Sequence, residues 1–211
     1  MRALKLVLVV GLSAAVLPLI DAASLLTAFT RSLGPQEEIT FSTVPSTDVS
    51  NGEFEERVYP SKQWVCTKQN GGLTEGDQIQ VFLKLFAYID GANDQNKELV
   101  MGLPVSIEYS DVEGQKVYTA CFFIPEADQA APPAPTNSQV FLTTRPQMTV
   151  LTRQFGGYAN DEPTWMTEVQ ALTKLVNEAG YQVNPNLIYW NAYDPPYKFW
   201  GRRNEVWLLK Q

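Results

Sequence analysis

Near the carboxy terminus, Arg202, Arg203 and Glu205 stand within four positions of one another. On an alternating strand Arg203, Glu205 and Trp207 share one face, opposite Asn204, Val206 and Leu208. Two roles suit that arrangement. Glu205 can serve as a pocket carboxylate, acting as a base or holding a cation, or the charges can stitch the strand to its sheet as a structural ion pair. A second acidic group, Glu53, Glu55 and Glu56, reads as a solvated strand edge rather than a metal site. The sequence contains no nucleophile–base pair, phosphate loop or metal-spaced cluster. It also contains no histidine, which removes His-dependent triads, His-containing zinc sites and the commonest protein ligand to heme iron. Any chemistry here must work without imidazole.

The amino terminus reads as an address. Arg2 and Lys5 precede an apolar run from Leu6 to Ile20, followed by the small residues Ala22 and Ala23, the pattern of a secretory signal peptide over residues 1–22. The run is too short for a spanning helix, which needs roughly 20 apolar residues. The expectation is a secreted, extracellular protein with no membrane attachment after signal removal. In that compartment the only two cysteines, Cys66 and Cys121, are expected to pair as a disulfide. No Asn-x-Ser/Thr sequon occurs.

The candidate residues must be positioned by the elements around them. Residues 23–52, rich in Ser and Thr and broken by glycine and proline, read as a flexible arm. Beyond them lies strand material around Tyr59-Pro60. Then Thr74-x-x-Asp77 resembles a capping box opening a helix that stops at Gly91. Strands follow near Leu99–Tyr109 and Val117–Ile124. After a proline-rich joint at 126–138 the order recurs: strands at Val140–Thr143 and Met148–Phe155, a helix from Asp161-Glu162-Pro163 to Ala179, and strands near Leu187–Tyr193 and Asn204–Leu209. The strand–helix–strand–strand pattern thus occurs twice, in halves of about 53–125 and 139–211. Such α+β units can build one sheet or barrel with a helix packed on each half.

The two helices differ. In the second, Trp165, Val169, Leu172 and Val176 share one face, so a core on one side suffices. In the first, Ile79, Phe82, Leu83 and Phe86 form one apolar face, and Val81, Leu85, Tyr88 and Ile89 carry it well past half the circumference. A helix apolar nearly all round must be covered on more than one side, by further protein, by a partner subunit, or by an apolar ligand groove.

Composition supports a folded chain. Of 211 residues, 45% are hydrophobic and 11% aromatic, enough for a sizeable core. The formal net charge of −7 argues against nucleic acid as a partner, which would need a basic footprint.

The run from Tyr193-Asp194-Pro195-Pro196-Tyr197-Lys198-Phe199-Trp200 through Gly201-Arg202-Arg203-Asn204-Glu205-Val206-Trp207 closely resembles a motif of the SOUL heme-binding family. Tyr88-Ile89-Asp90-Gly91-Ala92-Asn93, Met101-Gly102-Leu103-Pro104-Val105, Pro132-Pro133-Ala134-Pro135 and Gln154-Phe155-Gly156-Gly157-Tyr158-Ala159 match in the family's order. The resemblance covers residues 53–211. It implies a distorted antiparallel β-barrel flanked by two helices, a fold shared with gyrase-inhibitor-like domains. It also implies reversible, non-catalytic binding of heme or a related tetrapyrrole beside the first helix, with no metal site of the protein's own. The ligand-binding set it points to is Phe82, Phe86 and Ile89 on the helix, with Tyr197 and Lys198 in the loop, Lys198 matching a basic residue that meets a propionate. The iron ligand stays open between a methionine (Met101, Met148 or Met166) and a tyrosine. Two other functions stay open as well: a hydrolase or cation binder using Glu205, as gyrase-inhibitor-like domains use a pocket carboxylate, and a secreted interaction module dimerising through the first helix.

Overall fold

A computed structural model describes residues 34–44, 53–195 and 197–211. The expected signal peptide at 1–22 lies outside the described residues. Among the described residues, eleven strands and two α-helices follow in order: β1 (Gln36–Glu38), β2 (Ser42–Thr43), β3 (Glu55–Tyr59), β4 (Lys62–Asn70), α1 (Glu75–Ile89), β5 (Met101–Leu103), β6 (Val105–Val112), β7 (Gln115–Phe123), β8 (Val140–Arg145), β9 (Met148–Phe155), α2 (Glu162–Glu178), β10 (Val183–Ala192) and β11 (Asn204–Lys210).

Nine strands form one sheet in the order β2-β3-β9-β11-β10-β6-β7-β4-β8, and every pairing in it is antiparallel. The leading strand of each half is bent at a proline, at Pro60-Ser61 between β3 and β4 and at Pro146-Gln147 between β8 and β9. Proline cannot donate to the ladder, so it marks these bends. Because Tyr59 pairs with Met148 and Lys62 with Arg145, the two bent strands run alongside each other and draw the ends of the sheet together. The result is barrel-like but not closed, with β2 and β8 as its edges.

Side-chain alternation sorts the core into three parts. Val65, Leu85, Phe86, Ile89, Phe122 and Ile124 pack where α1 covers the sheet, and Trp165, Leu172, Trp190 and Val206 where α2 does. The opposite face curls around Tyr59, Trp64, Cys66, Cys121, Phe123, Tyr189 and Trp207. Both helices start as the sequence predicts. Thr74 and Asp77 form the full capping box of α1, and Asp161 caps α2 by accepting from the Thr164 N–H.

Cys66 and Cys121 lie directly opposite each other on β4 and β7 and form a disulfide, 55 residues apart in sequence. On the loop-entropy account it stabilises the fold by about 4 kcal/mol.

Part of the stretch read as an arm belongs to the folded unit. β1 pairs in parallel with β5, β2 pairs with β3, and Ile39 is buried in the inner core. The Glu53-Glu55-Glu56 group also differs from expectation. β3 has neighbours on both sides, so it is no edge; Glu56 is buried with Lys210 Nζ at 2.6 Å, and Glu55 pairs with Arg57 at 2.8 Å.

Candidate functional site

The near-complete apolar circumference of α1 is covered in pieces. One side buries Val81, Leu85 and Ile89 against β4, β7 and β8. A second meets the proline-rich joint: the Tyr88 hydroxyl donates to the Pro133 carbonyl at 2.8 Å, and Asp94 and Ala134 exchange hydrogen bonds just beyond the helix. The third side borders a cleft of about 430 Å³ lined by Gly34, Pro35, Phe86, Ile89 and residues 98–101.

That volume lies within the range of small-molecule sites. Apart from Gly34 and the carboxylate of Glu98, the lining is apolar: Pro35, Phe86, Ile89, Leu99, Val100 and Met101. Just beyond Met101 two strands approach closely. A side chain at Gly102 would put its Cβ 1.9 Å from the Phe123 carbonyl oxygen, so only glycine allows β5 to lie where it does.

Of the residues singled out from sequence, Phe86 and Ile89 line the cleft. Phe82 sits one turn earlier, stacked on Phe86 at 5.9 Å and edge-on to Phe122 at 5.4 Å, and half-buried at the helix surface. Tyr197 and Lys198 lie in the β10–β11 loop and are not among the residues lining the cleft. Lys198 Nζ pairs with Asp194 Oδ1 at 2.6 Å. Burial works against the Asp194 charge, but Lys198 and the Arg203 N–H hold its carboxyl below the ordinary range. Arg202 completes the loop by donating to the carbonyls of Pro195, Lys198 and Asp194.

Gly34-Pro35 and residues 98–100 were not identified from sequence as cleft residues, and Met101 only as a candidate iron ligand. The motif beginning at Met101 was a visible signal; the parallel β1–β5 pairing that brings residue 35 beside it was not.

Glu205 is a separate, closed arrangement. It is 1% exposed, and its Oε2 accepts from Tyr193 at 2.8 Å, Trp207 Nε1 at 2.9 Å and Arg57 Nη1 at 3.0 Å. Arg203 Nε stands 4.0 Å from the other oxygen, while the outer end of Arg203 pairs with Glu38 at 2.6 Å. Burial opposes the charge of Arg57, yet Glu205 and Tyr59 beside it hold the guanidinium above its ordinary pKa. Burial next to Glu205 also pushes the Tyr193 hydroxyl well up, so it stays protonated and donates. This is the interior ion pair that strand alternation allowed, with Arg57 as a partner the sequence did not reveal.

Among the described residues no group of three or more His, Cys, Asp or Glu is placed to hold a metal ion, and no helix is long and apolar enough to cross a membrane.

Known proteins share the family and the fold. The SOUL heme-binding protein family model matches residues 36–209, and the chain belongs to that family. Heme-binding protein 2 of Mus musculus is 30% identical over 168 residues, covering 78% of this chain and 81% of that protein. Heme-binding protein 1 of the same species is 34% identical over 173 residues, covering 80% and 88%. Among solved structures, the EcmrR C-terminal domain superposes with a TM-score of 0.56 at 12% identity, over 75% of this chain and 96% of that one. A hydrolase from Listeria innocua superposes with a TM-score of 0.54 at 11% identity, over 75% and 92%. At such identities these two establish the fold alone.

Proposed function

We propose that this protein is a secreted, non-catalytic binder of heme or related tetrapyrroles, which it takes into the cleft beside α1. The observation that carries this reading is the apolar cleft on Phe86, Ile89, Leu99 and Met101 in a chain of the SOUL family. A flat macrocycle presents several hundred Å² per face; at ~25 cal/mol per Å² its apolar burial gives micromolar affinity after the costs of association.

The lining suits such a ligand without an imidazole. Aromatic and aliphatic side chains meet the ring faces, with Phe82 extending the apolar surface along the helix. Of the methionines considered from sequence, Met101 alone lines the cleft. Met148 is in the inner core and Met166 lies on α2, packed against the core beneath that helix, so the Met101 thioether is the methionine available to iron. Lys198 is the loop cation offered to a propionate, and it would exchange part of its pairing with Asp194 to make that contact. Secretion is supported by the basic–apolar–small pattern of residues 1–22 and by the Cys66–Cys121 disulfide.

The alternatives have less support. A hydrolytic base needs a carboxylate that substrate can reach, and Glu205 is buried and held by three donors. A dimer through Phe82 and Phe86 would have little of α1 to bury, because Phe86 is held in its own core and only Phe82 is partly exposed at the helix surface.

Titration of the purified protein with hemin and with metal-free protoporphyrin IX, followed by the Soret band and by tryptophan quenching, tests the reading. Saturable binding of both, with similar affinity, is expected. Failure of both to bind would overturn it.

A further inference from the structure

The face of the sheet turned away from both helices holds a buried cation with an unusual environment. Arg145, 5% exposed, lies with its guanidinium carbon 4.2 Å from the Trp64 ring and 4.8 Å from the Tyr189 ring. Its Nη1 donates to Ser106 Oγ at 2.9 Å, while Nη2 is buried with no partner among the described residues. Among the described residues no carboxylate comes within 4.0 Å of it. Glu108, engaged with Tyr189, attracts it only from beyond ion-pair distance.

Arg145 is not alone. Asn191 is opposite Ser106 across the β10–β6 pairing, is fully buried, and neither its amide nitrogen nor its amide oxygen has a partner among the described residues. The indole N–H of Trp64 is likewise buried and unpartnered. Three donors of one inner core therefore lack acceptors, and one of them carries a positive charge. A buried polar group without a partner is costly, and a buried charge without a counter-charge more so. A neutral water would satisfy hydrogen bonds but leave that charge uncompensated; an anion accepts from all three donors and supplies the counter-charge, and a water beside it can donate to the Asn191 amide oxygen.

We propose that the inner face of the curled sheet holds a small inorganic anion of halide size, bound by Arg145 Nη2, the Asn191 amide and the Trp64 indole N–H. The site is on the opposite face of the sheet from the tetrapyrrole cleft and does not depend on it. Glu205 is already neutralised by Arg57, so it does not supply the missing counter-charge.

The test exchanges the full-length protein into sodium gluconate and titrates in sodium bromide at constant ionic strength, reading thermal stability and tryptophan emission. The expected result is a saturable rise in Tm of roughly 2–4 °C with parallel saturable quenching. Both should be lost in Arg145→Gln and in Asn191→Leu, the second of which leaves the guanidinium in place if the first does not fold. An anomalous bromide peak beside Arg145 in a crystal would place the ion. A linear response equal in all three proteins, or bromide-soaked crystals with no peak at Arg145, would overturn the proposal.

Discussion

Glu205 illustrates how a residue that looks catalytic in sequence becomes structural once its neighbours are known. Its strand face was legible from alternation, because β11 places Arg203, Glu205 and Trp207 on one side. Its decisive partner was not, since Arg57 is 148 residues away in sequence and reaches Glu205 only through the β3–β9–β11 pairing. The arrangement has a measurable consequence. Glu205→Gln leaves Arg57 with only the half-exposed Glu55 as a carboxylate partner, which should destabilise the protein by about 1.5–3 kcal/mol in denaturant unfolding. Tetrapyrrole affinity of the folded fraction should not change, because Glu205 packs on the face of the sheet away from α1. A selective loss of affinity with stability intact would instead tie Glu205 to the binding site.

At the scale of elements, the helices were the most legible parts and the cleft the least. Periodicity picked out Trp165, Val169, Leu172 and Val176 as the buried face of α2, and all four are buried. The broad apolar surface of α1 announced cover on several sides, and the sheet, the proline-rich joint and the cleft share it. What periodicity cannot convey is which distant backbone lies alongside. The short β1–β5 pairing sets Gly34-Pro35 beside Met101, and neither segment has a hydrophobic pattern that announces the contact.

The β10–β11 loop is held by charge rather than by core, and pH should release it. Asp194 has a carboxyl pKa below the ordinary value in the folded protein, so its contribution is present above the unfolded aspartate pKa of about 3.9. It is lost as pH falls through the lower folded value. Hydrogen exchange of residues 197–203 should therefore be flat, after correction for intrinsic rates, from pH 7 to about 4 and accelerate below. In Asp194→Asn the fast exchange should already be present at neutral pH; slow exchange there would mean that the Arg202 carbonyl contacts suffice to hold the loop.

The whole molecule divides its labour between the two faces of one curled sheet. One face, under α1 and α2, builds the helix cores and the cleft; the other encloses the disulfide, the Arg57–Glu205 pair and Arg145. On the helix-covered face the cleft borders α1 and not α2, so ligand affinity should respond to substitutions under α1 and not to those under α2, and the most direct measurement compares the two in parallel. Protoporphyrin IX affinity and unfolding free energy would be determined for the wild type, Phe86→Ala and Leu172→Ala. Leu172 is fully buried under α2, so its truncation should cost about 2–5 kcal/mol of stability and leave the affinity of the folded protein unchanged. Phe86→Ala should weaken binding by about 1–3 kcal/mol, beyond any effect traceable to the unfolded fraction. Equal affinities in wild type and Phe86→Ala, with both folded, would contradict the assignment of the tetrapyrrole to the cleft beside α1.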